Sequence, residues 1–132
     1  MFYLVARFVL RPLMFLLLRP RITGREHVPL EGPVVLASNH LSFIDSIVIP
    51  LAAPRRVAYL AKAEYFTGGG FGGWVTRTLF TALGAHPVER QTQRAAQAAL
   101  DTALEILQGG TAFGLYPEGT RSKDGRLARG KT

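Results

Sequence analysis

The alternation of short apolar runs with longer helical segments is the feature that most constrains the fold. Short apolar runs typical of strands buried on both faces occur at residues 34–38 and 57–61, and two more strands are expected at residues 85–88 and 111–116. Helices are predicted between them, at residues 41–51, 74–83 and 91–108. A short edge strand is also expected at residues 22–28. Strands that alternate with helices predict an α/β fold, with a mixed, largely parallel sheet flanked by helices.

The first 22 residues, MFYLVARFVLRPLMFLLLRPRI, are strongly apolar but contain four arginines. Their longest uncharged run, residues 12–18, is too short for the roughly 20 residues of a spanning helix. We expect an interfacial membrane helix over residues 1–22, kinked or split at Pro12, followed by a second domain over residues 23–132. A helix that packs in the core and a signal peptide are the alternatives. The side chains expected at lipid phosphates are Arg7, Arg11, Arg19 and Arg21.

The charge balance indicates an anionic partner, because 16 Lys and Arg face 9 Asp and Glu, a formal net charge of +7. A composition bias of the source is the other explanation. Nucleic acid is disfavoured, because a nucleic-acid module does not ordinarily carry so much apolar surface beside its basic residues. Since the chain has no cysteine, disulfides, a cysteine nucleophile and a thiolate metal site are excluded.

The first cluster of chemically useful residues follows the run at 34–38 and reads Asn39-His-Leu-Ser-Phe-Ile-Asp45. The carboxyl ends of strands are where open α/β sheets bind ligands. Asp45 is expected in the first turn of the next helix, where it can bind one imidazole nitrogen of His40 while the other nitrogen takes a proton from a hydroxyl. The alternative is structural, with His40 bonded to backbone and Asp45 as a helix N-terminal acid.

The second cluster, Tyr116-Pro-Glu-Gly-Thr-Arg-Ser122, follows the run at 111–116. A guanidinium, hydroxyls and a glycine that exposes backbone amides suit a phosphate or another oxyanion. An ordinary polar turn is the alternative. A third segment, Gly84-Ala-His-Pro-Val-Glu-Arg90, also ends in an arginine, which in isolation reads as a solvated surface charge.

These segments together resemble the glycerolipid acyltransferases, typified by 1-acylglycerol-3-phosphate acyltransferase. The first is similar to that family's H-x-x-x-x-D block, and the second to its F-P-E-G-T-R-S block with Tyr for Phe. The third lies where the family has a block ending in Arg, although Ala85, His86 and Glu89 depart from its G-x-I/F-x-I-D-R form. The match runs from about Val28 to the last residue, in the family's order and separation. The resemblance implies a glycerol-3-phosphate acyltransferase-like fold.

The resemblance also implies a role for particular residues. His40 is expected to deprotonate the hydroxyl of lysophosphatidic acid, Asp45 to orient His40, and the hydroxyl to attack the thioester of acyl-CoA or acyl carrier protein. Arg90 and Arg121 are expected to bind the acceptor's phosphate, in a pocket shaped by Glu118, Gly119 and Thr120. A different lipid acceptor is one alternative. A truncated, inactive membrane-binding domain is the other, because the family's fourth block, a Val-Pro-rich strand, is absent before Thr132.

We expect neither a metal ion nor a nucleotide cofactor at this site. No metal is predicted, because the histidines lack metal-ligand spacing. Glycine patterns at residues 68–73 and 125–132 fit nucleotide-binding expressions but lack the strand-to-helix context, so no cofactor is predicted beyond the thioester co-substrate. The predicted location is the cytoplasmic membrane, monotopic or peripheral, with the active site facing the cytoplasm. We also expect the domain to continue beyond Thr132.

Overall fold

The computed structural model describes residues 2–89, 92–127 and 129–130. In this part of the chain one sheet forms from strands β1 (Val34–Ala37), β2 (Val57–Lys62), β3 (Ala85–Val88) and β4 (Ala112–Leu115). The strand order is β1-β4-β2-β3, and every pair is parallel. The predicted α/β fold is confirmed, and a strand forms within each of the four predicted runs.

Helices connect and cover these strands. They are α1 (Phe2–Leu18), α2 (Asp45–Ala52), α3 (Glu64–Thr67), α4 (Gly70–Leu83) and α5 (Gln93–Gln108). Helix α5 begins where the Thr92 hydroxyl accepts a hydrogen bond of 3.1 Å from the amide of Ala95. Helix α4 ends at Gly84, whose φ is 94° and whose Cβ, if present, would lie 2.6 Å from the carbonyl oxygen of Val57.

The structure overturns three local expectations. Residues 22–28 do not form a strand, because Gly24 has a φ of 74° and starts a 3₁₀ turn at Arg25–His27. Helix α2 starts at Asp45 and not at residue 41, since the amides of Leu41 and Ser42 donate hydrogen bonds to the carboxylate of Asp45. Helix α4 starts at Gly70 and not at residue 74, so the glycine cluster at 68–73 is partly helical. Gly73 packs directly on the backbone of Gly68, which leaves no room for a side chain.

The core lies between the sheet and the helices α1, α2 and α4. Phe80 of α4 is 2% exposed and packs on Tyr59 and Ala61 of β2. A second buried cluster joins α1, α2 and α4 through Met14, Leu51 and Leu83. Helix α1 is therefore part of the folded body and not a detached segment.

Helix α1 turns Arg7, Arg11 and Met14 towards the protein and most of its large apolar side chains towards solvent. It runs through Pro12 as one helix and is not split there. The Arg7 guanidinium donates hydrogen bonds to the carbonyls of Ala53 (3.0 Å) and Pro54 (3.4 Å), where α2 ends. Arg7 thus binds the protein, whereas the sequence placed it at lipid phosphates. The exposed large apolar side chains are Leu4, Val5, Phe8, Val9, Leu13, Phe15, Leu16, Leu17 and Leu18.

A second exposed apolar group lies at the start of α4. Phe71 and Trp74 are 80% and 54% exposed, and their rings stack with centroids 5.9 Å apart. Neither ring therefore lies in the core. Helix α1 packs against α4. Of the helices described, none combines the length and apolarity required to cross a bilayer.

Candidate active site

The loop between β1 and α2 brings His40 and Asp45 together. The backbone turns after Ala37 so that the Asp45 carboxylate folds back over its own loop. Its Oδ2 accepts hydrogen bonds from the amides of Leu41 (2.8 Å) and Ser42 (2.7 Å). The same oxygen lies 3.2 Å from Nδ1 of His40. The predicted pairing of these two residues is therefore present.

The environment of Asp45 favours its charged form. Burial acts to raise the pKa of this carboxyl, but the amides of Ser42 and Leu41 together with His40 outweigh it, so the pKa lies below the ordinary 3.8. The side chains of His40 and Asp45 are only 17% and 23% exposed. An ionised Asp45 makes Nδ1 of His40 the protonated nitrogen and leaves Nε2 as the acceptor. Nε2 has no hydrogen-bond partner in the described part of the chain.

The loop that follows β4 lies against the loop that follows β1. The two strands are neighbours in the sheet, and Ala37 pairs in register with Leu115. Beyond them the amide of Ser122 donates a hydrogen bond of 2.7 Å to the carbonyl of His40. Two sequence motifs that are far apart in the chain thereby share one edge of the sheet, as expected from the carboxyl ends of parallel strands.

Of the residues predicted to form the phosphate pocket, three line the cavity and one is buried away from it. Gly119, Thr120 and Arg121 line the cavity that His40 also lines, and all three are exposed. Glu118 is 3% exposed and is not among the cavity-lining residues. Its carboxylate oxygens are buried and have no hydrogen-bond partner among the described residues. Arg90 lies outside the described residues, next to Glu89, which does line the cavity.

The cavity has a volume of about 590 Å³ and extends from His40 to helix α5. This volume is in the range of small-molecule sites. Its polar end carries the glycine, threonine and arginine of the loop after β4. Its apolar walls are formed by residues of several elements: Phe43, Leu60, Phe80, Ala96, Ala99, Leu100, Ala103 and Phe113. Sequence reasoning did not identify α5 as a wall of the site, because its small residues are typical of any helix.

Two further residues at the site were missed from the sequence. The ring of Tyr116 stacks on the imidazole of His40, with centroids 4.0 Å apart and planes at 18°. The Tyr116 hydroxyl lies 3.3 Å from Oγ of Ser46, the residue after Asp45. The position of Tyr116 at the end of a strand and at the start of the motif was the available signal.

Comparison with known proteins gives consistent matches. The family model described as Acyltransferase matches residues 19–132. The chloroplastic 1-acyl-sn-glycerol-3-phosphate acyltransferase of Arabidopsis thaliana is 34% identical over 107 residues, covering 80% of this chain and 28% of that protein. The 1-acyl-sn-glycerol-3-phosphate acyltransferase of Bacillus subtilis (strain 168) is 28% identical over 112 residues, covering 83% of this chain and 53% of that protein.

A solved structure also matches. The crystal structure of the 1-acyl-sn-glycerophosphate (LPA) acyltransferase PlsC from Thermotoga maritima aligns with a TM-score of 0.70 and 27% identity. The alignment covers 96% of this chain and 48% of that one. The chain thus spans about half, or less, of the length of the relatives named here. From the family model and these relatives, we conclude that the chain belongs to the acyltransferase family, and specifically to its glycerolipid branch.

Proposed function

We propose that this chain carries the acyl-transfer site of a 1-acylglycerol-3-phosphate acyltransferase of phospholipid biosynthesis. The enzyme would move a fatty acyl group from acyl-CoA or acyl carrier protein to the free hydroxyl of lysophosphatidic acid. The observation that carries the proposal is the single oxygen of Asp45, which accepts two backbone amides and faces Nδ1 of His40. The names of the relatives support the same acceptor.

The chemistry requires His40 as a general base. Nε2 takes the proton of the acceptor hydroxyl as its oxygen attacks the thioester carbonyl carbon, and the charge of Asp45 stabilises the resulting imidazolium. The tetrahedral intermediate then breaks its C–S bond, and the imidazolium returns the proton to the departing thiolate. The products are an ester and a free thiol. No cofactor besides the thioester is needed for these steps.

The polar end of the cavity suits the acceptor's phosphate. Arg121 offers a planar guanidinium that binds two phosphate oxygens at once, and Gly119 and Thr120 lie beside it. Arg90 remains a predicted second ligand, on the resemblance of its segment to the family's block that ends in Arg. The apolar walls contributed by α5 suit an acyl chain, whose burial there is favoured by the hydrophobic effect.

The exposed apolar side of α1 supports docking on a membrane surface. A helix that packs on a protein normally hides its apolar side chains, whereas Phe8 is 80% exposed and Leu16 is 69% exposed. Phe71 and Trp74 add aromatic side chains of the kind favoured at the membrane interface. The proposal is monotopic or peripheral attachment through residues 1–22, with the active site on the cytoplasmic side.

Acyl transfer is tested in the full-length protein with acyl-CoA and three acceptors: lysophosphatidic acid, monoacylglycerol and an amino-acid lipid. We expect thiol release with lysophosphatidic acid and its loss in His40→Ala. Activity that survives this substitution contradicts the general-base mechanism. Transfer to a neutral acceptor alone supports the alternative acceptor, and no transfer to any acceptor supports a domain that only binds membranes.

The phosphate subsite is tested with Arg121→Met. We expect a higher KM for lysophosphatidic acid and an unchanged KM for any acceptor without phosphate. Arg126→Met is the matched control, because Arg126 is an exposed arginine of the same loop that does not line the cavity. Equal effects of the two substitutions on KM contradict a specific role of Arg121.

Membrane docking is tested by co-sedimentation with anionic phospholipid vesicles. The double variant Phe8→Glu/Leu16→Glu is expected to remain in the supernatant, whereas Leu104→Glu/Leu127→Glu sediments like the parent protein. The control residues are 55% and 80% exposed and lie on other segments. Binding that persists at high salt is expected for apolar insertion, since ions screen electrostatic adsorption alone. Equal sedimentation of both variants contradicts docking through α1.

A further inference from the structure

Tyr116 is held against His40 by the order of the strands. It follows the last residue of β4, and β4 is paired in parallel with β1, which leads into the loop of His40. The two rings lie with centroids 4.0 Å apart and are nearly parallel, at 18°. Aromatic pairs in proteins usually have centroids about 4.5–7 Å apart, so this is a close stack. One whole face of the His40 imidazole is therefore covered.

The other end of Tyr116 is attached to the helix that carries Asp45. Its hydroxyl lies 3.3 Å from Oγ of Ser46, and the backbone carbonyl of Ser46 accepts a hydrogen bond of 2.8 Å from the hydroxyl of Tyr59. Burial raises the pKa of the Tyr116 hydroxyl, the contact with Ser46 acts in the opposite direction, and Asp45 adds to the rise. Tyr116 is thus a neutral side chain that links the imidazole to the first turn of α2.

The hydrogen bond to Asp45 alone does not fix the plane of the imidazole. It is one contact of 3.2 Å, at the long end of the normal range, and it leaves the ring free to tilt about the Nδ1–Oδ2 direction. A stacked ring removes this freedom, because tilting would drive the imidazole into the phenol face. Displacing a base by about 1 Å can cost a hundredfold in rate.

We propose that Tyr116 is a positioning residue for acyl transfer, which keeps the His40 ring in the plane that leaves Nε2 available to the acceptor hydroxyl. The inference rests on the proposed role of His40 as the base. Stacking is the larger contribution, and a phenylalanine supplies it equally well. The hydroxyl link to Ser46 is the contribution that phenylalanine lacks, and it secures the tyrosine ring to the helix of Asp45.

The test compares Tyr116→Phe, Tyr116→Leu and Ser46→Ala in the full-length protein with lysophosphatidic acid and acyl-CoA. For Tyr116→Leu we expect kcat to fall about tenfold to a hundredfold with KM for both substrates within about twofold. Tyr116→Phe is expected to keep kcat within about threefold, which is the rescue by a conservative side chain. Ser46→Ala is expected to stay in the same range, because it removes only the partner of the Tyr116 hydroxyl. Phe66→Leu is the control, since Phe66 packs on Phe80 with ring centroids 6.2 Å apart. It loses core packing but leaves kcat unchanged.

A spectroscopic measurement separates positioning from general destabilisation. The ring protons of His40 are expected to be shifted upfield by the Tyr116 ring in the parent protein and in Tyr116→Phe, and to lose this shift in Tyr116→Leu. If Tyr116→Leu does not fold, Tyr116→Met replaces it in both measurements. A kcat within threefold of the parent in the folded leucine or methionine variant, or an unchanged His40 resonance, overturns the inference. Activity that survives His40→Ala instead overturns the proposed function.

Discussion

Replacing Asp45 by asparagine and by alanine separates orientation of His40 from stabilisation of its charge. In Asp45→Asn the amide oxygen can take the place of Oδ2 and accept the same three N–H groups, which lie within 2.7–3.2 Å of Oδ2. A flipped amide would point its NH₂ group at these donors. The backbone amides of Leu41 and Ser42 therefore hold the asparagine in the orientation that preserves the His40 tautomer.

The loss of kcat/KM expected in Asp45→Asn follows from the removal of the negative charge alone. A hydrogen bond to a charged group contributes about 1.5–3 kcal/mol and a neutral one about 0.5–1.5 kcal/mol. The difference of about 1–1.5 kcal/mol corresponds to a loss of roughly fivefold to twelvefold in kcat/KM, since about 1.4 kcal/mol is tenfold. Asp45→Ala removes orientation as well, so we expect a loss of about a hundredfold or more.

The assay is the initial rate of thiol release from acyl-CoA with lysophosphatidic acid, measured on variants whose thermal unfolding has been checked. Asp101→Asn is the matched control, because Asp101 is exposed on α5 and its carboxylate accepts a hydrogen bond of 3.1 Å from the side-chain amide of Gln97 on the same helix. It is expected to retain full activity. Equal losses in Asp45→Asn and Asp45→Ala would refute the argument that the oxygen orients His40, and an alanine variant within threefold of the parent would refute the pairing itself.

Three further outcomes concern stability. Because the folded-state pKa of Asp45 lies below 3.8, its stabilisation is complete above that value and is lost as the pH falls through the lower one. Acid titrations of the free energy of unfolding should therefore be flatter for Asp45→Asn below about pH 4 than for the parent. Arg7→Met should lower the free energy of unfolding in urea by about 1–2 kcal/mol, whereas substitution of the exposed Arg21 by Met should lower it by less than about 0.5 kcal/mol. Equal losses would contradict the binding of Arg7 to the end of α2. Gly84→Ala should lower the midpoint of thermal unfolding much more than Gly110→Ala, because both have a positive φ but only the first Cβ meets backbone, 2.6 Å away; equal shifts would contradict this.

The local structure near the reactive residues was largely readable from the sequence. The buried strand at 57–61 could be located because a β run that is covered on both faces has to be apolar throughout. The spacing of His40 and Asp45 left a structural alternative open, and the resemblance of their segment to the acyltransferase block is what favoured their pairing. The predicted edge strand at 22–28 is wrong, because Gly24 adopts a left-handed backbone conformation. That conformation belongs to a single residue within an otherwise suitable run.

What the sequence determined by itself was the existence of the four strands, the strand–helix alternation and the two reactive loops. Only the tertiary structure decided which elements are neighbours, because periodicity describes one element at a time and carries no strand order. The parallel pairing of β1 with β4 brings Tyr116 onto His40, a contact that no local pattern contains. The same limit applies to α1. Its helical wheel groups Arg7 with Arg11, but only packing against α2 and α4 shows that this side faces inward together with Met14, while most of the large apolar side chains face outward.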